Sequence, residues 1–275
     1  MVRAEFSTGS DQAFRPICVP YSSGIFLGAS AISRLDKMHS AVQLAGFHYI
    51  ACLKAVPTSA DHSLAFGNST YSFLSIATAD SGVLRAEFQR WATSAVLRDL
   101  VEHFSVFLLA VYSDALAANP DTKFVPTPAQ FERLGVEAQL AALAANFPVD
   151  NAWTSRLIAY NKARNCLAHR VGVVGLQDVT ENDELVVRWL TAKVALHEGS
   201  IEKQIEARGP MAHLIQGEHV GGKAATIEVL DRERRFKIGS SISFMPDELL
   251  GICQTLHAAA AAYDTLVTSS PSSRK

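Results

Sequence analysis

The sequence predicts a mainly α-helical protein: an antiparallel helical bundle with a small β-sheet inserted before the C-terminal helix. Apolar residues recur at steps of three and four along most of the chain, whereas strand-like patterns are confined to about residues 184–244. A hydrophobic content of 48% over 275 residues is sufficient for a large buried core. We therefore expect an irregular arm at residues 1–28, a single domain at 29–267 that includes the β-rich insertion, and a disordered tail at 268–275.

Three helices are expected in the first half of the chain. Apolar periodicity places the first at about residues 30–56 and the second at about 83–118, with a polar loop at 57–82 between them. The third is expected at 127–146 and has the clearest start. Its first residues form a capping box with proline at the first helical position: Thr127, Pro128 and Gln130.

Two more helices frame the insertion. Asp150 or Asn151 is expected to cap a fourth helix that ends at His169, and Pro246 opens a last helix that runs to Val267. Three segments of the insertion favour strands, with a short helix at 200–207 among them and a solvated hairpin at the charged run 231–235. The strand segments are 185–190, 226–230 and 235–244.

Charge and cysteine usage argue against several classes of protein. With 25 Lys and Arg against 27 Asp and Glu, the chain has no overall positive field, so any nucleic-acid contact must be local. The four scattered cysteines include no CxxC pair, which argues against a zinc ribbon or a disulfide framework. The longest apolar run, at 104–112, is too short to span a bilayer and predicts a core helix. We expect a cytoplasmic protein without a membrane partner.

The chemically informative segment is Arg164-Asn165-Cys166-Leu167-Ala168-His169, at the end of the fourth helix. Arg164 offers a planar guanidinium that can bind a phosphate through two hydrogen bonds, and His169 offers an acid or base near neutral pH. Asn165 and His169 share a helix face because they are four residues apart, and Arg164 lies slightly around the cylinder. All three can border one groove, where Asn165 would orient the phosphate, a ribose hydroxyl or the imidazole.

These groups suit metal-independent RNA cleavage. A base removes the proton of the 2′-hydroxyl, a cation stabilises the charged phosphorus centre, and an acid protonates the leaving oxygen. One histidine cannot easily perform both proton transfers. A second copy of the helix, supplied by a twofold-related partner, would provide the missing group, so a homodimer is expected.

Long helices that end in Arg-Asn-x-x-x-His resemble the HEPN superfamily, whose signature is an arginine followed a few residues later by a histidine. The resemblance implies a helical bundle, dimerisation through the motif helix, and endoribonuclease activity of the kind used in toxin–antitoxin and antiviral systems. It implies catalytic roles for Arg164, Asn165 and His169, RNA as the substrate, an antitoxin or regulatory protein as a further partner, and no metal or cofactor. The strand-rich insertion departs from the small, almost wholly helical members.

Other functions are compatible with the same residues. A noncatalytic HEPN-like module for dimerisation or nucleotide binding is the main alternative. Residues 217–223 have the glycine and lysine spacing of a phosphate loop, but Ala224 replaces the Ser or Thr that binds magnesium, which favours a simple glycine-rich connection. On the second helix, Asp99 and Glu102 either face the motif and tune His169 or point to water.

Overall fold

The computed structural model is mainly helical, as predicted, and contains antiparallel sheet. It describes residues 33–54, 63–66, 69–72, 81–120, 125–147, 149–198, 201–207 and 224–268. The expected arm at 1–28, the tail after Thr268 and the glycine-rich segment 217–223 lie outside these ranges.

The helices follow the predicted order. They are α1 (Arg34–Lys54), α2 (Ser81–Ala118), α3 (Pro128–Glu132), α4 (Val136–Asn146), α5 (Asn151–His169) and α6 (Pro246–Thr268). The second, fourth and last predicted helices agree closely with α2, α5 and α6. In the first, the part that the structure describes agrees with the prediction.

The predicted third helix is two helices. The capping box is confirmed, because the Thr127 side chain accepts a hydrogen bond from the Gln130 amide and the Gln130 side chain accepts one from the Thr127 amide. The helix nevertheless ends after one turn. Gly135 then has extended backbone angles and becomes the N-cap of α4. This break lets Phe131 of α3 stack on Tyr112 of α2, with ring centroids 4.2 Å apart.

The observed strands differ from the predicted ones in four places. A hairpin, β1 (Ser63–Phe66) with β2 (Ser69–Ser72), lies within the predicted loop. A second sheet has the order β4-β3-β5, with all neighbours antiparallel; its strands are β3 (Glu184–Glu198), β4 (Ile201–Ala207) and β5 (Ala224–Lys237). The predicted short helix is therefore strand β4, and the charged run 231–235 lies within β5 instead of forming a hairpin. The strand predicted at 235–244 ends at Lys237.

Charged residues are accommodated in β5 because they pair across the strands. Arg188 lies opposite Glu233, and the two side chains form an ion pair at 3.0 Å. Arg235 pairs with Glu184 at 3.4 Å. Opposite charges on facing positions, as in the first pair, or on diagonal positions, as in the second, stabilise an antiparallel pair, so the charged run is compatible with a strand.

α2 is the central helix of the bundle, with contacts to α1, α4, α5 and α6. By length and composition alone, residues Arg85–Ala118 could cross a membrane. However, one side of the helix is almost completely buried in the protein core, as predicted for a core helix: Leu97, Leu100, Phe104, Leu108 and Val111.

The sheet packs on α5 and α6 through β3. Leu185, Val187 and Trp189 are buried, and Trp189 lies so close to Gly251 of α6 that a β-carbon there would come within 2.3 Å of its ring. Two hydrogen bonds hold the layers together. The Tyr160 hydroxyl of α5 donates to the Arg188 carbonyl at 2.6 Å, and the Leu190 amide donates to the Thr255 hydroxyl at 2.8 Å.

Candidate functional site

The motif occupies the last turns of α5, and its apolar neighbours fix its orientation. Ala163, Cys166 and Leu167 are buried in the core. The helix cannot rotate without exposing them. The polar motif residues therefore lie on the outer part of the helix, with Arg164 and Asn165 partly buried and His169 exposed.

Arg164 lies between α5 and α2. Its guanidinium forms an ion pair with Glu102, and its Nη1 donates a hydrogen bond to the Asn165 side-chain oxygen at 2.7 Å. The Glu102 side chain is 58% exposed, so the pair is in contact with water. The buried Nε of Arg164 has no hydrogen-bond acceptor among the residues that the structure describes. The guanidinium is thus positioned by Asn165 and neutralised by an exchangeable carboxylate.

His169 stands apart from the other two residues. No hydrogen bond or ion pair joins its imidazole to another side chain in the described ranges. At 3.6 residues per turn, five residues separate the directions of Arg164 and His169 by about 140° around the helix. The structure therefore brings Arg164 and Asn165 together, but a single chain presents His169 on a different side of α5. This differs from the expectation that all three residues border one groove.

Of Asp99 and Glu102, the two α2 carboxylates whose direction the sequence left open, Glu102 faces the motif, because it contacts Arg164. Asp99, Glu102 and His103 share an exposed face of α2, since they are three and four residues apart. His103 Nδ1 lies 2.9 Å from the Asp99 carbonyl oxygen. A second solvent-exposed imidazole is thereby placed on the face of α2 that carries the partner of Arg164. The sequence alone gave no reason to single out His103 among the histidines.

The end of α5 is held by a buried carboxylate that the sequence did not single out. Asp178 is 1% exposed and binds the Arg170 guanidinium through both oxygens, one of them at 3.0 Å from Nε. It also accepts a hydrogen bond from the Gly175 amide at 2.8 Å. Between these contacts the backbone turns at Val171 and Gly172, with φ of 53° and 80°. This clamp fixes the residue next to His169.

Further backbone hydrogen bonds attach this turn to the segment after β5. The Ile242 amide donates to the Gly172 carbonyl at 2.7 Å, and the Val174 amide donates to the Ser240 carbonyl at 3.0 Å. Ile242 is itself buried in the core. The turn after the motif is thus attached to the protein core.

The motif cysteine is not a nucleophile. Cys166 is fully buried, and burial together with the negative charge of Asp178 raises the pKa of its thiol to about 11. A thiol that stays protonated at neutral pH is unreactive. The residues of this segment that remain as candidates for chemistry are Arg164, Asn165 and His169.

A cavity of about 220 Å³ lies beside α5, between this helix and the start of β3. Its polar lining comes from Ser155, Arg156, Lys162, Thr180, Glu181 and Arg188. Arg188 binds Glu181 through two nitrogens, which holds the pKa of that carboxyl below its usual range, and Arg156 binds Asp231 at 2.6 Å. The sequence analysis did not find this cavity, because it forms only when β3 packs on α5.

Comparisons with protein-family models, with curated proteins and with solved structures find no match to this chain. Within the described ranges, no group of three or more His, Cys, Asp or Glu side chains could hold a metal ion. The geometry of α5 and its neighbours is therefore the basis for a functional assignment.

Proposed function

We propose that this protein is a metal-independent endoribonuclease of the HEPN type that acts as a homodimer. The observation that carries the proposal is the placement of the Arg-Asn-x-x-x-His segment: it ends a long bundle helix, Cys166 and Leu167 between its polar members are buried in the core, and the polar members reach the surface. Surface access is needed because the substrate is a polymer.

Each polar residue has a role in the proposed reaction. His169 removes the proton from a ribose 2′-hydroxyl, and the resulting oxygen attacks the adjacent phosphorus. The bond from phosphorus to the 5′-oxygen breaks, which leaves a 2′,3′-cyclic phosphate and a 5′-hydroxyl. Arg164 stabilises the charge on the phosphoryl oxygens, and Asn165 orients the guanidinium through its hydrogen bond of 2.7 Å.

A second copy of the chain would bring a guanidinium and an imidazole to the same phosphodiester. Arg164 and His169 of one chain point in different directions, so one phosphodiester cannot contact both directly. A twofold axis near the end of α5 would place Arg164 of one copy beside His169 of the other, and would supply a second imidazole as the acid that protonates the leaving oxygen.

Loss of the imidazole tests the mechanism. Purified protein is incubated with single-stranded RNA in the presence of EDTA, and the products are examined for cyclic-phosphate ends. We expect cleavage by the wild type and a loss of about 10²- to 10⁴-fold in rate for His169→Ala. The matched control is His48→Ala, which removes another exposed imidazole, on α1. Equal activity of His169→Ala and the wild type, or dependence on a divalent metal, would contradict the proposal.

The ion pair of Arg164 with Glu102 favours a second candidate, a noncatalytic HEPN-like module that dimerises or binds nucleotides. In such a module the guanidinium serves the packing of α5 on α2. Dimers in sedimentation experiments, together with RNA ends that remain intact after incubation with wild-type protein, would support this function over the nuclease.

A further inference from the structure

We propose that the cavity beside α5 is a subsite for the ribose-phosphate backbone of RNA next to the bond that is cleaved. This inference rests on the proposed function, and it adds a substrate-binding residue, Lys162, to the site. The argument has three parts: the position of Lys162 on α5, the state of its charge, and the character of the cavity walls.

The cavity and His169 share one face of α5. Lys162 precedes His169 by seven residues, which is almost two full turns, so both side chains leave the helix in nearly the same direction. Ser155, seven residues before Lys162, lies on the same line of the helix and also lines the cavity. The rise of the helix separates Lys162 from His169 by about 10 Å along the axis. A single strand lying along this face would contact both.

Lys162 has a charge that no described carboxylate neutralises. Its Nζ donates to the Val179 carbonyl at 2.7 Å, and it forms no ion pair within the described ranges. An ammonium group has three donors, so two remain for a ligand. The other two cations of the cavity differ, because Arg156 is bound to Asp231 and Arg188 to Glu181 and Glu233. Glu181 adds a negative charge to the lining, but both of its carboxylate oxygens are bound by Arg188.

The remaining walls indicate which part of a nucleotide fits. The hydroxyl groups of Ser155 and Thr180 stand beside an apolar surface formed by Ile158, Ala159 and Val186. Among the residues that the structure describes, the lining includes no aromatic ring on which a base could stack. The volume of about 220 Å³ is below that of typical pockets for drug-sized molecules. These features suit a phosphate with its ribose, and they predict recognition without base preference.

Binding is measured separately from cleavage to test the subsite. In a His169→Ala background, the affinity for a short fluorescent single-stranded RNA is determined by anisotropy over a range of salt concentrations. We expect Lys162→Gln to weaken binding about tenfold. The slope of log affinity against log salt should also fall by about 0.7, as for one lost phosphate contact on a single strand. Lys162→Arg, which keeps the charge, should restore most of the affinity.

The matched control is Lys37→Gln, which removes an exposed lysine from α1. Thermal melting of each variant shows whether loss of the contact with Val179 unfolds the protein. Equal affinity and equal salt slope for Lys162→Gln and Lys37→Gln would overturn the subsite, as would the absence of RNA binding at low salt. RNA cleavage by the wild type is measured in a separate assay. Binding that depends on Lys162 without any cleavage would keep the subsite and overturn the nuclease.

Discussion

Two arginines near the end of α5 make ion pairs of different kinds. Arg170 binds Asp178, whose side chain is 2% exposed and receives a further backbone hydrogen bond, whereas Arg164 binds Glu102, whose side chain is 58% exposed. A buried carboxylate that loses its partner remains without solvation, but an exposed one is hydrated at little cost. The first pair therefore holds the structure, and the second can yield its guanidinium to a phosphate.

The largest expected effect is on stability, and it tests this comparison directly. Asp178→Ala should lower the free energy of unfolding by about 2–3 kcal/mol, because Arg170 and the Gly175 amide lose their partner in a mostly buried site. Glu102→Ala should change it by no more than about 0.5 kcal/mol. Urea unfolding followed by circular dichroism measures both. A similar loss of stability in the two variants would show that solvent exposure of the carboxylate does not distinguish a structural ion pair from an exchangeable one.

A smaller effect is expected at the turn that the Arg170–Asp178 pair holds in place. Val171 is β-branched and has φ of 53°, a conformation that costs a side chain of this kind free energy. Val171→Gly should raise the free energy of unfolding by about 1 kcal/mol, measured in the same urea assay. Val173→Gly is the control: Val173 does not have a positive φ, so the change relieves no strain there and should lower the free energy of unfolding. A lower stability of Val171→Gly would mean that the valine side chain contributes packing that outweighs the strain.

The smallest effect on stability is expected at a half-buried pair of histidines, His39 and His257. His39 Nδ1 of α1 lies 2.9 Å from His257 Nε2 of α6, and burial together with His39 holds the pKa of His257 below its usual value. The unfolded chain therefore binds a proton more readily than the folded one. This contribution to stability is complete above about pH 6.5 and decreases as the pH falls below that value.

Thermal melting between pH 5 and 8 should show this decrease as a lower melting temperature at the acidic end, and His257→Gln should reduce it. His48→Gln, on the exposed side of α1, should leave it in place. An unchanged pH dependence in His257→Gln would assign the decrease to other groups.

Local signals predicted the helices well. The three- and four-residue spacing of apolar residues located α2 and α6, and the capping residues Thr127 and Asp150 stand at the N-caps of α3 and α5. These features depend on residues close in sequence, so they can be recognised from the sequence alone. The break at Gly135 was missed because the stacking of Phe131 on Tyr112 that accompanies it joins two different helices.

Long-range pairing explains the errors in the sheet. Residues 201–207 contain Glu, Lys, Gln and Ala, which favour a helix, but they pair with β3 as an antiparallel strand. The charged run of β5 is stabilised by Arg188 and Glu184 on the facing strand. Such partners cannot be identified from a segment alone.

The candidate site was also predicted only in part: its local features were predicted and its long-range contacts were not. The sequence placed Arg164, Asn165 and His169 on one helix end, and all three lie there. It did not predict that Glu102 binds Arg164, that Asp178 anchors Arg170, or that Lys162 borders a cavity. Each of these depends on another element packing against α5. The homodimer, the RNA substrate and a cytoplasmic location stay predictions.

The attachment of the turn after His169 to the segment after β5 has a consequence for local opening. The amides of Val174 and Ile242 are bonded to carbonyls on opposite sides of this junction, at 3.0 and 2.7 Å. Neither can exchange its hydrogen with solvent unless the junction separates, so the two should exchange at similar rates as one cooperative unit. The turn that follows α5 is thus protected from exchange by hydrogen bonds to a part of the chain about 70 residues away.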